Sequence, residues 1–520
     1  MSFVKIRRAL ISVFYKDGLE PIIHTLAKNG VEFISTGGTK DFIQKLGYPV
    51  VAVESLTGYP EVFGGRVKTL HPAIFGGILY RRDHAGDLKE AEQHQVGAID
   101  LVIVDLYPFE ETVSKGASEQ DIIEKIDIGG ISLIRAAAKN HAHVLIVSSR
   151  KQYQDLLLLL ESQNGGSEST DRFRFAAAAF SMTSHYDSAI FSWFNETAGA
   201  TDFKASYQNG RVLRYGENPH QSAVYYGALE ELFTQLNGKE LSYNNLVDVD
   251  AAIGLVAEFP SENAFVIIKH TNACGVATGS TVLEAYTRAL QADPVSAFGG
   301  ILATNRVIDS TAAAEINKLF FEILIAPDFS PEALELLKGK KNRILLKQLK
   351  TLSRKKNFKS LLNGVIEQDA DTQTDTGEDL RPVTKKIPNA QATEDLLFAS
   401  KICKHTKSNA IVLATGGQML ASGVGQTSRV DALKQALEKA KSFGLEVKGA
   451  AMASDAFFPF PDCVEIAASA GISSIIQPGG SVKDQDSIDA CDRLGLAMVV
   501  TGRRHYLHGS TLAVFGWSFA

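Results

Sequence analysis

Short apolar runs alternate with helical spacing through the first 150 residues, and this rhythm constrains the fold more than any other feature. Ala9-Leu10-Ile11-Ser12-Val13 reads as a buried strand. Residues 18–28 carry helical spacing and stop at Gly30. Val31-Glu32-Phe33-Ile34 reads as a second strand and runs into Ser35-Thr36-Gly37-Gly38-Thr39. A helix over 40–46 and a strand over 49–53 follow, and 101–104 and 144–147 are further buried-strand candidates. Parallel strands need crossover connections, so this βαβ rhythm predicts an α/β fold with a doubly wound parallel sheet and helices on both faces. Sheets of that kind bind ligands at the carboxyl ends of their strands.

Residues 151–198 look helical, with a polar break over 163–170. The expected organisation is a first domain over 1–150, a helical connector over 151–204, and two α/β subdomains over 205–375 and 376–520. Two short matches suggest that these subdomains are related. Asn263-Ala264-Phe265-Val266-Ile267 resembles Asn409-Ala410-Ile411-Val412-Leu413, and Ala297-Phe298 resembles Ala456-Phe457. A Lys/Arg-rich stretch over 338–359 is expected to be a solvated helix leading into an acidic linker over 368–379, rather than a nucleic-acid patch.

Composition limits the possible partners. A chain of 520 residues, 45% hydrophobic and 22% charged, can bury real cores without staples. Its net charge of −6 argues against generic nucleic-acid binding, which needs a cationic face. None of the four cysteines forms a CxxC pair, so neither a zinc ribbon nor a redox dithiol is indicated. The first apolar run is too short for a secretory h-region, and no stretch reaches the roughly 20 apolar residues of a membrane span. The expectation is a soluble, cytoplasmic protein. The uncharged apolar tail 511–520 has no functional reading.

Several motifs can carry chemistry. The 35–39 turn brings hydroxyls, backbone N–H groups and a helix N-terminus together, as a phosphate monoester requires. It is not GxGxxG, so no dinucleotide site is indicated. Gly64-Gly65-Arg66-Val67-Lys68-Thr69-Leu70-His71-Pro72 adds two cations and a hydroxyl beside flexible glycines. Asp105-Leu106-Tyr107 tips a buried strand, Asp127-Ile128-Gly129-Gly130 is another glycine turn after an acid, and Arg135-Ala136-Ala137-Ala138-Lys139-Asn140-His141 puts a cation beside an amide and an imidazole. Farther on, Arg214-Tyr215-Gly216-Glu217-Asn218 and Ser242-Tyr243-Asn244-Asn245 are dense in polar groups. Lys269-His270 at a strand end is a plausible proton-transfer pair. Cys274 is expected to be a small buried residue rather than a nucleophile. The aromatic loops 293–300 and 454–462 suit a planar heterocycle, and Gln477-Pro478-Gly479-Gly480-Ser481 reads as another anion-type turn.

Taken in order, GGRVKTLHP, LYPF, IDIGG, AAAKNH, RYGENPHQ, SAFGG, SNAIVLA and SDAFFPF resemble the bifunctional purine-biosynthesis family that joins AICAR formyltransferase to IMP cyclohydrolase. The resemblance spans about residues 5–508. It implies a methylglyoxal-synthase-like first domain and two cytidine-deaminase-like subdomains, with 10-formyltetrahydrofolate as cosubstrate and a homodimer whose formyltransferase sites use both chains. The substrates it implies are AICAR (5-aminoimidazole-4-carboxamide ribotide), its formylated product FAICAR, and the folate.

By motif, the resemblance assigns Ser12, Lys16, Ser35, Thr36, Gly37, Thr39, Arg66, Thr69, Gly129 and Gly130 to substrate binding in the cyclohydrolase. Lys68, Tyr107, Asp127 and Lys139 form its proton-handling set. In the formyltransferase, Lys269 and His270 are the catalytic pair and Arg214, Tyr215 and Asn245 contact AICAR. Asn409, Phe457 and Asp462 face the folate, with Arg429 and His508 as further polar partners. The family usually reads SVSDKTG where this chain has Ser12-Val13-Phe14-Tyr15-Lys16-Asp17-Gly18, so Phe14 replaces a hydroxyl that would help bind phosphate. Asn272 stands two residues after His270, so the zinc-deaminase HxE signature is absent and no catalytic zinc is expected. The competing readings are a zinc deaminase fused to a phosphate-binding domain and a non-enzymatic nucleotide sensor.

Overall fold

The computed structural model of the chain describes residues 3–63 and 66–508. It divides into two compact units at Gln208/Asn209. The first unit is built on five parallel strands in the order Val50–Ala52, Glu32–Ser35, Arg8–Ser12, Leu101–Val104, Leu145–Val147. Strands covered on both faces should be apolar throughout, and every residue of Leu101–Val104 and Leu145–Val147 is buried. The helix Leu19–Lys28 turns Leu19, Ile22, Ile23 and Leu26 into the core, a one-face stripe at helical spacing. Strand order reverses at Arg8–Ser12, so a crevice opens beyond the ends of that strand and of Leu101–Val104.

The helix expected over 40–46 starts earlier, as Gly37–Lys45. The glycine turn is therefore the first turn of the helix itself. Residues 151–198 hold more than helix. Between the helices Tyr153–Ser162 and Ser169–Ala198, the strand Gly166–Glu168 pairs antiparallel with Phe3–Lys5. The long helix packs on Gly129–Lys139 and on the strand Leu145–Val147. Its Arg172 is fully buried and donates to the carbonyls of Ser167 (2.6 Å), His141 (2.8 Å) and Ala142 (3.0 Å).

The second unit is organised by duplication. One half orders its strands Ile344–Gln348, Ile323–Ala326, Ile301–Thr304, Asn263–Lys269, Asn272–Gly279. The other half continues the same sheet in mirror order as Gln418–Gly423, Ile411–Thr415, Ala451–Ser454, Ser474–Gln477, Ala497–Val500. Each half has an antiparallel hairpin, a third strand antiparallel to it, and two more parallel strands. The hairpins join through Ala277 opposite Gln418. One apolar layer spans both halves, from Val249 and Val266 to Ile402 and Val412, while the opposite face carries a separate core for each half.

The match between 263–267 and 409–413 therefore falls on equivalent strands. The match between 297–298 and 456–457 does not. Ala297 precedes the third strand of its half and Ala456 follows the third strand of the other. The basic stretch is also not one solvated helix. It covers the end of the helix Pro331–Lys338, the sheet strand Ile344–Gln348 and part of a separate hairpin, Lys356–Leu361 with Gly364–Asp369. Four of its charges are met within the chain: Lys347 by Asp328 (2.7 Å), Lys350 by Glu231 (2.9 Å), Arg354 by Asp250 (2.6 Å) and Lys356 by Glu367 (2.6 Å).

Replacing Arg172 by methionine strips three carbonyls, the buried one of Ser167 among them, of their donor. The expected cost is about 2–5 kcal/mol, read as a lower urea midpoint for the first unit; an unchanged midpoint would contradict this account.

Candidate active sites

In the first unit the predicted residues gather at the carboxyl edge of the sheet, with different duties from those expected. Ser35 and Thr39 are buried, and their hydroxyls donate to the carbonyls of Ile11 (2.6 Å) and Val13 (3.0 Å). Thr39 Oγ1 also accepts from the Val13 N–H (3.1 Å). These hydroxyls join the 35–39 turn to the end of Arg8–Ser12 instead of facing a ligand. Thr36 Oγ1 donates to Glu54 (3.2 Å). What this turn offers an anion is backbone, because Gly37–Lys45 begins without a side-chain cap and presents its first N–H groups. Lys68 Nζ stands beside this turn, 3.8 Å from where a Gly37 Cβ would lie.

Lys68 pairs with Glu61 (3.0 Å) and Arg66 with Glu124, neither acid singled out in the sequence. Thr69 Oγ1 lies against Gly129, 3.3 Å from where a Cβ at that position would lie. Asp127 is buried, accepts from the Gly130 N–H (2.6 Å), and donates its own N–H to Tyr186 Oη (2.9 Å). Burial pushes the Asp127 carboxyl upward against these bonds. Burial, then the charge of Asp127, raises the Tyr107 phenol, while Lys68 draws it down. Lys68, Tyr107 and Asp127 thus share one electrostatic site.

Lys16 folds back on its own loop, donating to the carbonyls of Val13 and Phe14 (3.1 Å to the latter), and burial lowers its ammonium. The Asp105 carboxylate accepts the N–H groups of both Phe14 and Tyr15 (3.1 Å to the latter). Phe14 meets Tyr107 edge-on at 5.7 Å, and Lys125 stands 5.6 Å from the Phe14 ring and 6.0 Å from the Tyr107 ring. Lys139 is not brought to this group. It ends the helix Gly129–Lys139, roughly 15 Å of helical rise from the glycine pair at the start. Gly64 and Gly65 lie outside the described residues.

In the second unit, His270 and Thr271 form the two-residue turn between Lys269 and Asn272, which face each other across the hairpin. Both are left-handed, with φ of 52° and 62°. Turns of this type favour Asn-Gly or Gly-Gly, and other residues held there cost about 1–3 kcal/mol each. The Asp248 carboxylate accepts the N–H groups of both, 2.7 Å from that of Thr271. Thr271 Oγ1 (2.7 Å) and Asn272 Nδ2 (3.0 Å) donate to the His270 carbonyl. The imidazole is exposed, and Lys269 Nζ reaches the Phe298 carbonyl (2.8 Å). A bulge beside the turn leaves Cys274 unpaired and buried, its thiol pushed up to about 12 by burial.

Asp248 rides on the helix Tyr243–Val256, which opens with a capping box between Ser242 and Asn245. Asn245 and Asp248, three apart, share one helix face. Asn244 Nδ2 donates to Glu217 O (3.2 Å), tying in the loop of Arg214 and Tyr215, where the guanidinium lies 4.6 Å over the phenol ring. The charge of Lys407 also acts on Asp248, drawing its carboxyl down against burial.

Sequence matching identifies the family. A family model described as AICARFT/IMPCHase bienzyme matches residues 137–439, and one described as MGS-like domain matches 18–132. The chain is 60% identical to the bifunctional purine biosynthesis protein PurH of Bacteroides thetaiotaomicron, over 97% of this chain and 99% of that one. It is 46% identical to PurH of Aquifex aeolicus, over 96% and 100%. The chain belongs to the AICARFT/IMPCHase bienzyme family. Among solved structures, that of ForH is 33% identical and covers 36% of this chain and 98% of its own, with a TM-score of 0.32. A cyanophage dCMP deaminase is 22% identical over 17% of this chain and 76% of its own, with a TM-score of 0.15.

The remaining residues matched to the family cluster in the second half. Arg429 is buried and binds Asn409 Oδ1 (2.8 Å), Asp455 Oδ1 (2.8 Å) and the Phe457 carbonyl (3.1 Å). Its guanidinium therefore holds Asn409 and the aromatic loop in place rather than facing solvent. Asp462 opens the helix Asp462–Ser469, its carboxylate accepting from Cys463 N (2.8 Å). The segment before His508 lies along Ser408, with reciprocal 3.0 Å bonds between Ser408 and Leu507. The 477–481 turn makes no anion cradle, because Asp484 Oδ2 takes the N–H groups of Gly480 (2.6 Å) and Ser481 (3.1 Å). Among the described residues no helix is long and apolar enough to cross a membrane, and no cluster of three or more His, Cys, Asp or Glu side chains could hold a metal.

The same C-terminal segment is anchored by His505, which is buried between Asp371 (2.6 Å) and Asp375 (3.6 Å). Burial alone would lower the imidazole, but the two carboxylates hold it at about 9. The stabilisation is complete below the unfolded value of 6.5 and is lost as pH rises through 9. Wild type should therefore lose stability relative to His505→Gln between pH 6.5 and 9, measured as urea midpoints; parallel curves would contradict a charged imidazole.

Proposed function

We propose that the chain performs both reactions of its family at two separate sites and that the residues above divide between them. In the second unit, the 5-amino group of AICAR attacks the formyl carbon of 10-formyltetrahydrofolate. That amine is a weak nucleophile, its lone pair delocalised into the ring and carboxamide, so a base must take its proton during attack. His270 is that base, and Lys269 stabilises the oxyanion on the formyl carbon. Breaking the bond to N10 returns a proton to that nitrogen and releases tetrahydrofolate and FAICAR. Arg214 binds the phosphate, Tyr215 and Asn245 line the AICAR side, and Asn409, Phe457, Asp462 and His508 face the folate, with Arg429 as support.

In the first unit, the ribotide phosphate of FAICAR lies on the N-terminus of Gly37–Lys45 beside Lys68. Ser12, Lys16, Thr36, Arg66, Thr69, Gly129 and Gly130 line the rest of that site. The carboxamide nitrogen attacks the formyl carbon and the carbinol oxygen leaves as water, giving IMP. Lys68, Tyr107 and Asp127 handle the protons. Lys139 sits outside this set in a single chain. A cytoplasmic homodimer is the proposed setting, consistent with four free, buried cysteines.

The observation that carries this reading is His270 itself, an exposed imidazole held in a left-handed turn next to Lys269. The test supplies AICAR with 10-formyltetrahydrofolate, or FAICAR alone, and follows tetrahydrofolate and IMP. His270→Ala should slow formyl transfer by about 10²–10⁴-fold and leave FAICAR closure intact. Lys68→Ala should do the reverse, slowing closure roughly 10²-fold. Either variant acting on the other reaction would contradict the two-site division.

A further inference from the structure

The duplicated hairpins of the second unit supply an internal comparison. Both are built alike around the turn. In one, Lys269 faces Asn272 across His270-Thr271; in the other, Thr415 faces Gln418 across Gly416-Gly417. Both carry a one-residue bulge on the returning strand, at Cys274 and at Leu420. All four turn residues are left-handed, with φ of 52°, 62°, 55° and 70°. In both copies one carboxylate from the preceding helix accepts two consecutive turn N–H groups. Asp248 binds His270 and Thr271, and Asp395 binds Gly416 and Gly417.

The copies differ in one respect. Gly416 and Gly417 have no Cβ and enter the left-handed region freely, whereas His270 and Thr271 do not. The glycine turn keeps its shape without help. The His-Thr turn needs an outside constraint, and the two N–H groups converge on one carboxylate only while the turn keeps this conformation.

We infer that Asp248 is a positioning residue for formyl transfer, holding the His270-Thr271 turn in the left-handed conformation that aims the imidazole at the AICAR amine. This rests on the proposed role of His270. Asp248 touches neither the amine nor the formyl group in that role; it acts through the backbone of the base. Asp395 performs the same bonding where no side chain must be aimed, so it is a structural counterpart.

The test compares four variants of the full-length protein by steady-state formyl transfer, with FAICAR closure as a control for the fold. Asp248→Ala should lower kcat by about 10- to 100-fold with little change in KM for AICAR, as expected for a misaligned base. Adding Thr271→Gly, which removes the resistance to the left-handed shape, should restore most of that kcat. Asp395→Ala should leave kcat within about twofold of wild type. If Asp248→Ala does not fold, Asp248→Leu, which keeps the bulk of the side chain but has no acceptor, carries the same comparison. An Asp248 variant with wild-type kcat, or a double variant as slow as Asp248→Ala, would overturn the inference while leaving the base assignment standing. His270→Ala with full formyl transfer would instead overturn the assignment itself.

Discussion

A carboxylate that accepts two or more nearby backbone N–H groups recurs at several loops of this protein that hold a defined shape. Asp105 binds those of Phe14 and Tyr15, Asp127 those of Gly130 and Ile131, and Asp248 those of His270 and Thr271. Asp100 does the same for Arg7 and Arg8, and Asp395 and Asp484 for two glycine-containing turns. Loops lack the regular ladders that satisfy backbone donors, and an unpaired buried donor is costly. A carboxylate has lone pairs for several donors and bonds them more strongly than a neutral acceptor does. The interaction converts flexible connections into fixed platforms for Tyr107, Asp127 and His270.

The same interaction gives the net charge of −6 a structural meaning. Several acids are turned inward onto backbone N–H groups, whose dipoles partly balance their charge. The cations meant for the anionic substrates are few and local. In the basic stretch after residue 338, Lys347, Lys350, Arg354 and Lys356 are neutralised by partners within the fold.

The parallel sheet was legible in the sequence because buried strands must be apolar at every position, as 101–104 and 145–147 are. The repeat was legible at 263–267 and 409–413 for the same reason: both are central strands of the sheet. Tyr107 and His270 stood out as polar groups at the ends of such runs, and Lys68 and Asp127 through the glycine-rich motifs that hold them. The duties of Ser35 and Thr39 did not, because a hydroxyl before a helix looks the same whether it bonds a ligand or a carbonyl. Asp248 stayed hidden for a different reason. It lies on a helix 22 residues before its turn, and no spacing rule connects the two. Arg429 looked like a ligand contact, and only its burial shows that it supports Asn409. Lys139 shared a motif with the glycine pair but lies at the other end of the same helix.

Amide hydrogen exchange at the four turn positions 270, 271, 416 and 417 tests this most directly. With Asp248 and Asp395 bonding them, all four amides should exchange much more slowly than free amides, and Asp248→Ala should expose only His270 and Thr271. Exchange of the His270 and Thr271 amides at the free-amide rate in the wild-type protein would contradict the clamp on which the proposed formyl-transfer geometry depends.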